Sequence, residues 1–215
     1  MNNKGILITI EGGDGSGKTT QSSLLKEYLE TRGYKVLLTR EPGGTPLGET
    51  IRKILLDPDS DIDPLTELFL YEAARVQHMK EVIIPALKTK NIVICDRFTD
   101  ATVAYQGYGR NLSLKLIDKL NKEATFGILP KLTIYIDIEP KKGLNKAKKL
   151  NKEAYGKHGD RIEMESVLFH ENVRKGYLNQ AQKYHKRIKT IKIKNIPLET
   201  HMLIRKHLEE LLYNV

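Results

Sequence analysis

The stretch Gly5-Ile6-Leu7-Ile8-Thr9-Ile10-Glu11-Gly12-Gly13-Asp14-Gly15-Ser16-Gly17-Lys18-Thr19-Thr20 decides how this chain folds. Gly5 to Ile10 is short, apolar and β-branched, the pattern of a strand buried on both faces. Gly12 to Thr19 matches G-x-x-x-x-G-K-T in full, and a helical pattern begins at Lys18. Strand, glycine-rich turn and helix in that order make an anion cradle. Glycines let successive backbone N–H groups turn inward, the helix N-terminus adds its dipole, Lys18 adds a point charge, and the Thr19 hydroxyl is placed to ligate Mg²⁺. Gly12, Gly13, Asp14, Gly15, Ser16, Gly17, Lys18, Thr19 and Thr20 are therefore the candidate site for a nucleoside triphosphate such as ATP.

Outward from this motif, Val36 to Thr39, Ile92 to Cys95, Leu132 to Ile136 and Ile188 to Ile193 repeat the strand pattern. Between them run amphipathic stretches of helical length: Thr19 to Arg32, Gly48 to Leu56, Leu65 to Lys88 with a kink at Pro85, Ser113 to Ala124, Glu165 to Lys186 and Leu198 to Tyr213. Strands alternating with helices predict an α/β fold, a five-stranded parallel sheet with helices on both faces. No internal repeat divides the 215 residues, which read as one domain. Two loops stand out. Glu41 to Leu47 holds Pro42, Gly43, Gly44 and Pro46, so turn chemistry sets its geometry. Lys141 to His158 carries seven lysines and few large apolar side chains, the composition of a mobile lid.

Composition excludes several classes. Apolar residues make up 40% and charged residues 29% of the chain, which is globular. The longest apolar runs, such as Ile6 to Ile10 and Val82 to Leu87, fall far short of the roughly 20 residues a membrane helix needs. Glu11 interrupts the first run, so no secretory leader is expected, and the expected compartment is the cytoplasm. Cys95 is the single cysteine, and the six histidines are too scattered for a zinc motif. Asp57, Asp59, Asp61 and Asp63 suggest calcium, but an EF-hand frame would put Ile62 or Pro64 where glycine is needed. A solvated loop is the better reading. The net charge of +9 is lopsided: residues 1–114 hold 14 basic and 15 acidic side chains, and the rest hold 22 and 12. The lysines of the second half recur beside apolar residues on helical patterns, and no exposed aromatics interleave with them, so solvated helix faces are preferred to a nucleic-acid surface.

Ile92 to Cys95 ends in Asp96-Arg97. Beside the first strand, Asp96 would emerge near the phosphates to hold Mg²⁺, and Arg97 would grip a second phosphate with two N–H groups. Arg40, Glu41, Arg52, Arg75 and Arg110 fall near strand ends or loops, a set suited to an anionic acceptor facing the triphosphate. A monophosphate acceptor is already an anionic nucleophile, which fits the lack of an evident Ser-His or Asp-His base.

Thr39-Arg40-Glu41-Pro42-Gly43-Gly44-Thr45, Ala73-Ala74-Arg75-Val76-Gln77-His78, Asp96-Arg97-Phe98, Ala104-Tyr105-Gln106-Gly107 and Asp160-Arg161-Ile162-Glu163, together with the phosphate loop, closely resemble bacterial thymidylate kinase, in order over nearly the whole chain. The resemblance implies a P-loop NTPase fold of the nucleoside monophosphate kinase type, a lid at about 141–161, a homodimer, and transfer of the γ-phosphoryl of ATP to dTMP with Mg²⁺. It implies that Arg97 and Arg52 hold the dTMP phosphate, that Glu41 stands by the transferring group and metal, and that Arg75 and Gln106 bond the thymine edge. Tyr105 would crowd the sugar 2′ position, and Thr102 would lie near the base. An enzyme acting on another monophosphate such as dUMP is the rival reading, because one methyl group contributes only about 1 to 3 kcal/mol. A nucleotide switch is disfavoured by the lack of an N-K-x-D motif.

Three residues depart from the family pattern. Tyr71 replaces a phenylalanine that stacks on thymine. Gly15 stands where one branch carries a catalytic arginine. Lys146 replaces a lid arginine, which leaves Arg161, with lysines such as Lys146 assisting, as the expected source of lid charge in the transition state.

Overall fold

The computed structural model of the chain describes residues 5–150 and 159–213. Its sheet has five strands, β1 (Ile6–Gly12), β2 (Val36–Arg40), β3 (Ile92–Asp96), β4 (Leu132–Asp137) and β5 (Ile188–Lys192), in the order β2-β3-β1-β4-β5. All pairings are parallel. The register sets Ile10 beside Asp96, Arg40 beside Asp96 and Gly12 beside Ile136. The glycine loop, the Arg40-Glu41 corner and the Asp96-Arg97 corner therefore leave the sheet at one edge, where open α/β sheets bind ligands.

The helices α1 (Lys18–Glu30), α2 (Pro46–Leu56), α3 (Pro64–His78), α4 (Ile84–Lys88), α5 (Thr99–Thr102), α6 (Leu114–Ala124), α7 (Pro140–Leu150), α8 (Val167–Lys183) and α9 (Pro197–Tyr213) cover the sheet. Local chemistry fixes their starts. Thr45 accepts from the Gly48 N–H ahead of Pro46, and Asp63 accepts from the Leu65 and Thr66 N–H groups ahead of Pro64. Ser113 and Ser166 do the same for α6 and α8. The acidic loop at residues 57–63 thus ends in a helix cap.

Ile8 and Ile10 point to one face, against Leu25 and Leu29 of α1 and Ile204 and Leu208 of α9. Leu7 packs on the other with Val93, Cys95, Met79, Ile83 and Phe98. No helix among the described residues is long and apolar enough to cross a membrane.

Three stretches gain detail. Leu65 to Lys88 is helical throughout, with a π-helical turn at Met79–Ile83 joining α3 to α4 just ahead of Pro85, where a regular turn would set the proline ring against a carbonyl. Residues 99–109, which carry no strand or helix pattern in the sequence, are helical as α5 followed by a π-helical stretch at Val103–Gly109. Tertiary packing overrides poor propensity there. The Tyr105 ring meets the rings of Phe169 and Tyr177 of α8, and a Cβ on Gly176 would lie 2.8 Å from the Tyr108 ring. The segment expected to be a mobile lid begins as α7, with Leu144 and Ala147 buried; residues 151–158 lie outside the described residues.

Candidate active site

Gly17, at φ 85°, closes the glycine loop and opens α1. Lys18 Nζ donates to the Gly13 carbonyl at 2.9 Å across the loop. Its burial, reinforced by the nearby Arg97 charge, pushes its pKa down to about 8. Arg97 lies over the same loop, its Nη1 donating to the Gly12 carbonyl at 3.2 Å and its Nη2 to Asp14 Oδ1 at 2.5 Å. The Arg97 backbone stands at φ 69°, a strained value for a residue other than glycine, and its N–H is pinned to the Ile10 carbonyl at 3.0 Å. That turn aims the guanidinium back across the cradle. Burial alone would raise the Asp14 carboxyl; Arg97 and Lys18 outweigh it and hold the group below its usual range. Thr19 Oγ1 donates to Asp96 Oδ2 at 2.9 Å on the open side, two hard oxygens whose chemistry and placement suit Mg²⁺.

Two cavities meet at this point. One, about 570 Å³ with its open mouth, is lined by Tyr71, Arg75, Phe98, Thr102, Tyr105 and Gln106. The other, about 850 Å³, runs over the loop past Lys18, Thr19, Thr20, Arg40 and Asp96. Asp14, Glu41, Arg52, Arg97 and Asp160 line both. Beyond Gly17 and Thr20 a third cavity continues toward Ile193, Asn195 and Pro197. Each volume falls in the range that holds a small ligand.

Most of the expected residues come together here, with different duties. Arg52 donates to the Pro42 carbonyl at 3.1 Å and faces both cavities. Arg40 Nη2 donates to both carboxylate oxygens of Glu49, at 3.0 and 2.9 Å, near the rim. Glu41 is not a free metal ligand. Its Oε2 accepts from Arg75 Nε at 2.8 Å and its Oε1 pairs with His78 Nδ1 at 3.0 Å. Arg75 Nη1 also serves Glu72 Oε1 at 2.7 Å and Asn121 Oδ1 at 3.0 Å. Ligand atoms of Glu41, His78 and Cys95 lie within 4.8 Å of one another, but His78 Nε2 is engaged by Thr39 Oγ1 at 2.7 Å and Cys95 Sγ by the Arg97 carbonyl at 3.1 Å. The cluster is a scaffold.

Arg161 has protein partners in this structure. Its Nε donates to the Leu55 carbonyl at 2.8 Å and its Nη2 to Glu67 Oε2 at 2.6 Å, so the guanidinium is committed to a buried ion pair away from the phosphate loop. Its neighbour Asp160 faces the cavities instead. Lys146 is a lid cation beside the loop: a Cβ on Gly15 would lie 3.0 Å from Lys146 Cβ and 2.1 Å from the Gly143 carbonyl. The same contact leaves no room for an arginine at position 15 without moving α7.

Glu11 and Glu67 matter more than the sequence suggested. Glu11 Oε1 accepts from the Phe98 N–H at 2.7 Å and Oε2 from Tyr177 OH at 2.9 Å. Burial, with the Asp100 charge, pushes its pKa up to about 8. A carboxylate closing an apolar strand was its only signal. Glu67 reads as an ordinary surface glutamate of a helix, yet is fully buried.

The comparisons agree with this geometry. The family model described as thymidylate kinase matches residues 10–204. A thymidylate kinase of Geotalea daltonii is 54% identical over 83% of this chain and 84% of its own length, and one of Citrifermentans bemidjiense is 48% identical over 96% and 92%. The crystal structure of thymidylate kinase from Ehrlichia chaffeensis superposes with a TM-score of 0.77 at 38% identity, covering 95% of this chain and 98% of that one. Glycine cradle, guanidinium corner and enclosed second cavity, read with these matches, place the chain in the thymidylate kinase family.

Proposed function

We propose that this chain transfers the γ-phosphoryl group of ATP to dTMP, giving ADP and dTDP. The observation that carries the reading is that the open and the enclosed cavity share Arg97, Arg52 and Asp14. A triphosphate on the loop and a monophosphate whose base lies deep in the enclosed cavity would bring their phosphate ends together under one guanidinium.

Backbone N–H groups of residues 13–18 and Lys18 would hold the β- and γ-phosphates. Thr19 and Asp96 would hold Mg²⁺, which when bound would supply charge neutralisation at the transferring oxygens. Arg97 would release Asp14 to grip the acceptor phosphate, with Arg52 beside it; a guanidinium already aimed across the cradle needs little reorganisation. The acceptor oxygen is anionic at neutral pH, so no side chain has to remove a proton. Tyr71 and Phe98 offer flat apolar surfaces to a pyrimidine, Tyr105 lies against the Arg97 end, and Arg75, Thr102 and Gln106 supply the polar groups. Among the described lid cations, Lys146 and Lys149 line a cavity together with Gly15, Ser16 and Gly17 and are placed to reach the loop.

The proposal extends to one catalytic unit with a lid at about 141–161, working in the cytoplasm as a homodimer. Leu65 and Phe69, one turn apart on α3 and 40% and 49% exposed, offer an apolar stripe for a second copy. The test mixes protein, ATP and Mg²⁺ with dTMP, dUMP, dCMP, dGMP or dAMP and follows ADP and the diphosphate product. The expected result is fastest turnover of dTMP, slower turnover of dUMP and little of the rest. ADP release at the same rate without any monophosphate would overturn the reading.

A further inference from the structure

We propose that Glu67, which is not part of the lining of the enclosed cavity, sets the base selectivity of the site by fixing which way round the Gln106 amide faces. The inference rests on the dTMP reading above and names the device behind its choice of base. Glu67 is 0% exposed and takes four hydrogen bonds: from Gln106 Nε2 at 2.8 Å, Arg110 Nε at 3.2 Å, Arg110 Nη2 at 2.9 Å and Arg161 Nη2 at 2.6 Å. Two guanidinium groups keep it a carboxylate, and a carboxylate only accepts.

That settles the amide. Turned the other way, Gln106 would press its carbonyl oxygen on Glu67 Oε1 and leave a buried acceptor unserved. Its NH₂ therefore points at Glu67 and its Oε1 away. Oε1 has no hydrogen-bond partner among the described residues, is not among the sealed unpartnered atoms, and belongs to a residue lining the enclosed cavity. The cavity thus offers an acceptor from Gln106 and a donor from Arg75, which has no acceptor at all. Their complement is a base edge with a carbonyl next to a ring N–H. Thymine and uracil present that edge at O4 and N3–H. Cytosine presents the reverse, an amino group beside a bare ring nitrogen, and would leave buried polar groups facing like partners. Glu67 is a positioning residue that rejects cytosine through a second side chain.

The test compares kcat/KM for dTMP and dCMP, and the thermal shift each gives without ATP or metal. Glu67→Gln keeps the shape but lets the amide pair either way round. It is expected to lower the dTMP/dCMP ratio at least tenfold, mainly through KM, with KM for ATP unchanged, and to make dCMP binding visible in the melt. Glu67→Asp, still acceptor-only, should retain most of the ratio. Arg110→Met should lower the melting temperature and leave the ratio alone. If Glu67→Gln does not fold because two guanidinium groups then face an amide, the double variant Glu67→Gln/Arg110→Met reads the same ratio. An unchanged ratio in Glu67→Gln, or an equal loss in Arg110→Met, overturns the inference and leaves the dTMP reading standing. A wild-type protein that uses dTMP and dCMP equally overturns both.

Discussion

The two ends of the cleft hold their arginines differently. At the phosphate end the Arg97 and Asp14 side chains are 19% and 16% exposed, and Arg97 has a carbonyl and one carboxylate as partners. At the base end the Arg75 and Glu41 side chains are 2% and 4% exposed, and Arg75 is bonded to two carboxylates and an amide. The charge at the first end can be handed to a ligand. At the second it is spent on the protein, which leaves a rigid frame with few free donors and acceptors. Mobile phosphates need cations that change partners, whereas a flat base needs fixed ones, because an unmatched buried group is what makes the wrong base costly.

If that division holds, substitutions at the phosphate end cost activity and spare stability. Lys18→Met is the sharpest case. A single preorganised charge on the transferring phosphates is worth a factor of about 10²–10³ in turnover, so steady-state ADP release should fall by about that much. The melt should barely move, since Lys18 gives up one bond to Gly13 and its burial already disfavours the charge. A large loss of stability would show that the loop is built on Lys18 and would break the contrast.

Arg75→Met probes the other end. It leaves Glu41 and Glu72 buried without their shared cation, and removing one partner of a buried pair costs about 3–5 kcal/mol. Urea unfolding should show a loss of that size, and the KM for dTMP should rise with it. A variant with full stability and a raised KM alone would mean that Arg75 serves the ligand and not the frame.

The sheet and the cradle were legible because their signals are local. Apolar runs at Ile6, Val36, Ile92, Leu132 and Ile188 begin within a residue of the strands, and the glycine motif stands between strand and helix as expected. What stayed hidden depends on packing at long range. Residues 99–109 are helical because α8 receives Tyr105, which no local pattern announces. Arg161 looked like a lid cation because its charge was visible and its partner was not; Glu67 lies 94 positions away along the chain. Glu41 lines both cavities, but its partners Arg75 and His78, 34 and 37 positions distant, were likewise invisible. A spare charge and a satisfied one look alike in a sequence.

Glu11 lies under the glycine loop, between the two ends, and gives the contrast a pH signature. Its pKa in the folded chain is about 8 against an ordinary 4.5, so between these values the folded state binds more protons than the unfolded state. Stability from this group is full below about 4.5 and drains as pH rises through 8, with a slope on the order of 1 kcal/mol per pH unit at most. Lys18 works in the opposite sense: its pKa is about 8 against an ordinary 10.5, so stability from it grows as pH rises from 8 toward 10.5. Together they place a stability minimum for the free protein near pH 8. Glu11→Gln removes the acidic limb alone. Melting temperatures from pH 5 to 8 should fall for the wild type relative to the variant, and the two curves should run parallel above that range. Nucleotide phosphates on the loop return Lys18 to its charged form and should flatten the alkaline limb while leaving the limb due to Glu11, because only Lys18 belongs to the end of the cleft whose charges the ligand can claim.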